Sequence, residues 1–164
     1  MVRGKQFEKI LSQQISEQGI FIQRIFDYVD LRGLAMMCDF YAYKYPYLYL
    51  LEMKTTAGAS LPFANISETQ WNGLFEASKY SGVICGFPIW WYDKDTTKFI
   101  SIQEMEEIKK TGVKSVRYDT PYGITIDGTK RRVYWDYEIS KFFTDAENRY
   151  GLKNNRNNSK ANCR

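Results

Sequence analysis

Residues 38–56 read CDFYAYKYPYLYLLEMKTT, and two runs of aromatic and aliphatic residues within them, 38–43 and 47–55, flank Lys44-Tyr45-Pro46. Strand formers on both sides of a Pro-containing break predict two antiparallel strands joined by a tight turn. With the turn centred between Tyr45 and Pro46, residues whose numbers sum to 91 face one another, so Asp39 stands opposite Glu52 on one face. Two facing carboxylates destabilise a sheet, and a hard divalent cation between them offsets the repulsion. Lys54 lies two residues beyond Glu52 and points to the same side, whereas Met53 points to the other. Two anions, a cation and an amine suit phosphodiester hydrolysis. The metal acidifies a bound water, and the ammonium supports the attacking water and the developing negative charge.

Upstream, Phe7, Ile10, Leu11 and Ile15 recur at helical spacing and Gly19 closes the segment, so residues 4–18 are an amphipathic helix and residues 20–26 a strand. Downstream, residues 56–66 have the composition of a loop. Ser67 and Gln70 then form a capping box opening a helix with Trp71, Leu74, Phe75 and Ser78 on one face, ended by Gly82. Val83–Trp91 is a continuous apolar run that fits a strand buried on both faces. A strand over 98–102, a capped helix over 101–111, a hairpin around Asp127-Gly128 within 124–135 and a helix over 138–148 follow. The pattern is that of one α/β domain, residues 1–151, without internal repeats.

At 164 residues, 44% hydrophobic and 26% charged, the chain is neither fibrous nor wholly disordered. It contains no histidine, which removes Ser/His/Asp and Cys/His triads and most zinc enzymes and leaves carboxylates, lysine or metal for any hydrolysis. Cys38, Cys85 and Cys163 are an odd number without CxxC spacing and read as reduced thiols. The N-terminus shows no apolar signal region, and the longest apolar run, residues 83–92, is far short of the ~20 residues that span a bilayer. A soluble cytoplasmic protein with no membrane partner is expected.

The formal excess of +4 belongs to Lys153, Arg156, Lys160 and Arg164; removing these four from 23 basic residues leaves 19 against 19 acidic ones. Residues 152–164 thus read as a basic arm that attracts a polyanion without reading it, or as a solubilising terminus.

Asp39, a spacing of 13, then Glu52-x-Lys54 after an apolar strand resembles the PD-(D/E)xK nuclease motif, and Glu8 on the preceding helix matches a glutamate of its resolvase branches. The order RGKQFEK, CDF, LLEMKTT, SETQ and a following apolar strand looks most like the RecU-type Holliday junction resolvases, over most of residues 3–118. That resemblance implies a restriction-endonuclease-like αβββαβ core with a central mixed sheet flanked by helices. It also implies Mg2+ dependence with Mn2+ as a substitute, a homodimer, and paired nicks across four-way junctions or other branched DNA. Carried over by position, Asp39 and Glu52 are metal ligands, the Met53 carbonyl is a further ligand, Glu8 completes the shell directly or through water, and Lys54 is the catalytic lysine. Gln70 orients the nucleophile or the DNA, and Arg3, Lys5, Thr55 and Thr56 contact phosphates.

The chain departs from the RecU pattern in two places. The long stalk insertion ahead of the first aspartate is replaced by a short linker over residues 27–37, and Ser67 stands in the region of the usual histidine. Two other functions share the motif: a sequence-specific restriction-type endonuclease, and a DNA-binding module without catalysis. Gln70 as a mere capping residue and the aromatic residues as core packing are the plainer uses of those side chains.

Overall fold

Phe7, Leu11 and Ile15 bury one stripe of the first helix, α1 (Arg3–Glu17), as the spacing predicts, and Gly19 at φ 74° supplies the left-handed residue that ends it. The structure, a computed structural model, describes residues 3–25 and 37–152. The expected linker and the basic arm lie outside the described residues, save Met37 and Leu152.

Strands β1 (Phe21–Arg24), β2 (Phe40–Lys44) and β3 (Tyr47–Leu51) form an antiparallel meander. The β2–β3 register pairs Lys44 with Tyr47 and Phe40 with Leu51, the alignment that the Tyr45-Pro46 turn requires. Strand β4 (Lys54–Thr56) continues the line of β3 after a break at Glu52 and Met53. Two stretches expected as one loop between residues 56 and 66 contain β5 (Ser60–Pro62) and a 3-10 turn (Phe63–Asn65). Helix α2 (Glu68–Ala77) follows, opened by the Ser67–Gln70 capping box. It stops at Ser78 and not at Gly82, which sits at φ 81° in the turn before the next strand.

Strand β6 (Val83–Trp91) is central and almost wholly buried. It runs parallel to β3 and β4 and antiparallel to β7 (Thr96–Ser101). Helix α3 (Ile102–Lys110), β8 (Ser115–Arg117), β9 (Ile124–Thr125), β10 (Gly128–Lys130), β11 (Trp135–Tyr137) and α4 (Ile139–Tyr150) complete the described elements. The mixed sheet has the order β1-β2-β3-β6-β7-β9, with β4 on β6. The expected hairpin around Asp127-Gly128 is not formed. β9 pairs with β7 at the sheet edge, Ile126 is buried there, and the turn instead falls between β10 and β11.

Each sheet face is covered by two helices. Phe7, Leu11 and Ile15 of α1 and Phe142, Phe143 and Ala146 of α4 pack on Phe40, Ala42, Tyr49 and Leu51. Trp71 and Leu74 of α2 and Met105 and Ile108 of α3 pack on Cys85, Phe87 and Ile89. Cys38 and Cys85 are buried free thiols whose burial pushes both up to about 12. Among the described residues no helix is long and apolar enough to cross a membrane.

Candidate active site

The break between β3 and β4 has a cause on the neighbouring strand. The parallel register is the same on both sides of it, Leu51 opposite Gly86 and Lys54 opposite Ile89, so Glu52 and Met53 fall opposite Phe87 and Pro88. Glu52 N–H donates to Gly86 O at 3.1 Å, as a parallel ladder demands. The next bond in that ladder would run from residue 88 to the Glu52 carbonyl, and proline has no N–H to give. Pro88 therefore opens the sheet at the residue that carries the carboxylate.

Asp39 sits one position before β2, beyond the last regular pair. Its N–H donates to Leu51 O at 3.2 Å, its carbonyl accepts from Ile25 N–H at 2.8 Å, and its Oδ2 accepts from Met53 N–H at 3.0 Å. The side chain thus replaces a strand partner for the interrupted backbone. The Asp39 charge lies close enough to the Glu52 carboxyl to disfavour its ionisation. The ladder pair expected between Asp39 and Glu52 is not formed, since the register ends at Phe40 and Leu51 and the Glu52 N–H turns to Gly86, but the two carboxyls come together just beyond that end.

Lys54 Nζ lies 2.8 Å from Glu52 Oε1, on the side away from Met53, which is buried in the core. Gln70 arrives from the first turn of α2. Its Nε2 donates to Glu52 Oε1 at 2.6 Å, and its Oε1 accepts from Lys54 Nζ at 3.3 Å and from Ser67 N–H at 3.1 Å. Capping and contact with the acidic pair are thus one arrangement of one side chain.

Glu8 enters from α1 in the opposite layer. Arg24 of β1, which the sequence reading missed, stands 3.1 Å from Glu8 Oε2. Its only sequence signal is the alternation that puts Ile22 and Arg24 on the α1 face. Glu8 Oε2 is nevertheless a buried acceptor without a hydrogen bond. Burial, and then the Asp39 charge, raise the Glu8 carboxyl. Burial likewise raises Asp39, against the Met53 N–H and Lys54, which lower it. Glu52 is pushed up to about 7 by burial first and by Asp39 second. Carboxyl groups this close cannot all ionise without a cation or a shared proton.

The donors are carboxylate oxygens, a set that fits a hard divalent cation. The nearby Cys38 thiol is protonated. Among the described residues no three acidic, thiol or imidazole groups already stand at chelating separation.

The residues expected to meet phosphate are spread around this centre. Lys5 is exposed and close enough for its charge to lower Glu8. Arg3 lies over the Tyr92 ring and 3.9 Å from Asp93. Thr56 Oγ1 donates to Ser60 O at 3.2 Å, and Thr55 Oγ1 faces Gly4.

No family model matches the chain, and no curated protein matches it. Among solved structures it is similar to Hjc, a Holliday junction resolvase from the archaeal hyperthermophile Archaeoglobus fulgidus, with a TM-score of 0.51. Identity is 17%, over 85% of this chain and 99% of that one. The fold is restriction-endonuclease-like. In this fold the central mixed sheet is flanked by helices, and the Asp39–Glu52 pair lies where the β3–β6 ladder opens.

Proposed function

We propose that the chain is a metal-dependent endonuclease that resolves four-way DNA junctions by paired nicks. The observation that carries this reading is the convergence of Asp39, Glu52, Lys54 and Gln70 around one sheet opening, in the fold of a junction resolvase. The RecU-type order of motifs supports it independently.

Asp39 and Glu52 would hold Mg2+, or Mn2+ in its place, with the Met53 carbonyl and Glu8 as the further groups that would serve it. When bound, the ion lowers the pKa of a water and neutralises charge on the scissile phosphate. Lys54 presents its ammonium beside Glu52, where it supports the attacking water and the negative charge that grows on phosphorus-bound oxygen. Gln70 holds Glu52 and Lys54 in that relation. Lys5, Arg3, Thr55 and Thr56 line the path of the DNA backbone.

One site per chain and two strands to cut require two chains, and a two-fold dimer matches the approximate symmetry of the junction. The test is cleavage of a mobile four-way junction and of linear duplexes of the same sequences, with and without Mg2+, with sedimentation of the free protein. Symmetric nicks in the junction alone, only with metal, by a dimer, are expected. Cutting of duplex at one sequence would make the chain a restriction-type enzyme, and binding without cutting would make it a DNA-binding module.

A further inference from the structure

β10 and β11 form a two-stranded ribbon of their own, outside the central sheet. Arg131 N–H donates to Tyr134 O at 2.8 Å, so Arg132 and Val133 occupy the two positions at the tip. Tight hairpins favour Gly, Asn or Asp there, and none is present. Turn formation therefore does not account for these residues. Val133 is 70% exposed and Tyr134 45%, an apolar pair held out in solvent.

The charges around that pair are mixed, with acids set against most of the cations. Lys130 is paired with Asp95 and Arg131 with Asp136, but Arg132 has no ion pair among the described residues. Lys9 of α1 lines the groove that Tyr134 and Val133 form with Gln6 and Gln13, and so do Glu17 and Asp136, so the cation left without an acid is Arg132 at the tip. The tip itself thus offers one guanidinium without an ion pair beside an exposed apolar pair, which suits an anionic ligand with an apolar face. Intact duplex offers phosphates but keeps its base faces stacked, whereas a branch point exposes them.

The ribbon is also fixed to the helix that carries Glu8. Gln6 Nε2 donates to Val133 O at 3.2 Å, Gln14 Nε2 donates to Trp135 O at 2.7 Å, and Tyr137 N–H donates to Gln14 Oε1 at 2.8 Å. Gln6 and Glu8 are two residues apart, so they face opposite sides of a helix about 10–12 Å across.

We propose that the β10–β11 tip is the branch-reading element of this nuclease: Arg132 takes a phosphate, and Val133 and Tyr134 pack on a base face exposed where strands exchange. The proposal rests on the nuclease reading above.

The test compares the full chain with Arg132→Ala, Tyr134→Phe and the double variant Val133→Ser/Tyr134→Ser. Affinity for a junction and for a duplex is measured without divalent metal, and 2-aminopurine at the branch point reports unstacking. The double variant is expected to lose about tenfold on the junction and no more than about twofold on duplex, and to lose the fluorescence rise. Tyr134→Phe keeps the ring and should behave as wild type. Arg132→Ala should weaken both DNAs and reduce the salt slope by about 1. Because the tip is exposed, melting temperatures should not move, which separates loss of contact from loss of fold. Unchanged junction affinity in the double variant, or equal loss on both DNAs, overturns the proposal. So does a change of oligomeric state in the double variant, which would mean that a second copy covers the tip. A wild-type chain that binds neither DNA overturns the nuclease reading itself, whereas a junction-selective wild type with indifferent variants overturns only the role of the tip.

Discussion

Gln70 binds Glu52 with the amide end of the same side chain whose oxygen closes the α2 capping box, at 2.6 Å and 3.1 Å respectively. The helix start and the acidic pair are therefore mechanically one unit. Gln70→Glu retains a capping residue but sets a third carboxylate against Glu52. Its melting temperature is expected to stay near wild type while junction cleavage falls by at least about tenfold. Gln70→Ala should lose both, with about 1 kcal/mol of stability. Full cleavage by Gln70→Glu would reduce Gln70 to a cap.

Removing one ligand charge should separate chemistry from binding. Asp39→Asn, Glu52→Gln and Lys54→Ala are each expected to stop cleavage. The two carboxylate variants should bind a junction as well as wild type or better, since an anion facing phosphates has gone. Gel-shift and cleavage assays on one preparation check this, and parallel loss of both would indicate a folding role.

In metal-free buffer the Glu52 carboxyl sits above its ordinary value of 4.5, at about 7, because burial and Asp39 disfavour its ionised form. A folded-state pKa above the unfolded one means that the folded chain holds more protons between those values, so stability is full below pH 4.5 and declines as pH rises through 7. Urea titrations from pH 4.5 to 8 in chelator should show that decline, and Glu52→Gln should reduce it, with the raised Asp39 and Glu8 carboxyls leaving a smaller slope in the same direction.

Glu104 should show the opposite slope. Burial opposes its ionisation, but Tyr150, Arg149 and the Gly123 N–H hold the carboxylate and bring its pKa below 4.5. Stability from this group is present above pH 4.5 and is lost as pH falls through the folded value. At pH 7 Glu104→Gln is expected to cost about 2 kcal/mol, with the gap from wild type closing in acid. A pH-independent gap would assign the loss to packing.

Gly86 lets β6 and β7 approach while its carbonyl takes the Glu52 N–H. A methyl group there would lie 2.4 Å from Ile100 O and 2.9 Å from Ser101 Cα, both backbone atoms that cannot step aside. Gly86→Ala should destabilise by about 2–3 kcal/mol and reduce cleavage in the surviving folded fraction, which a melt and an assay at low temperature measure.

Features that depend on near neighbours are legible in the chain alone. Helical spacing located α1, the Ser67–Gln70 capping box located α2, and the Tyr45-Pro46 turn set the β2–β3 register as far as Phe40 and Leu51. Each of these is a contact within one helix turn or one hairpin, so the intervening residues dictate it. Tertiary packing alone decided the rest. Arg24 meets Glu8 only because α1 lies on β1, and Pro88 opens the ladder at Glu52 only because β6 runs beside β3 in one register. Asp127-Gly128 carries the stronger turn signal, yet residues 124–126 pair with β7 and bury Ile126, and the turn passes to Arg132 and Val133. Pairing an edge strand and burying an isoleucine outweigh a local turn preference, which is worth less than either.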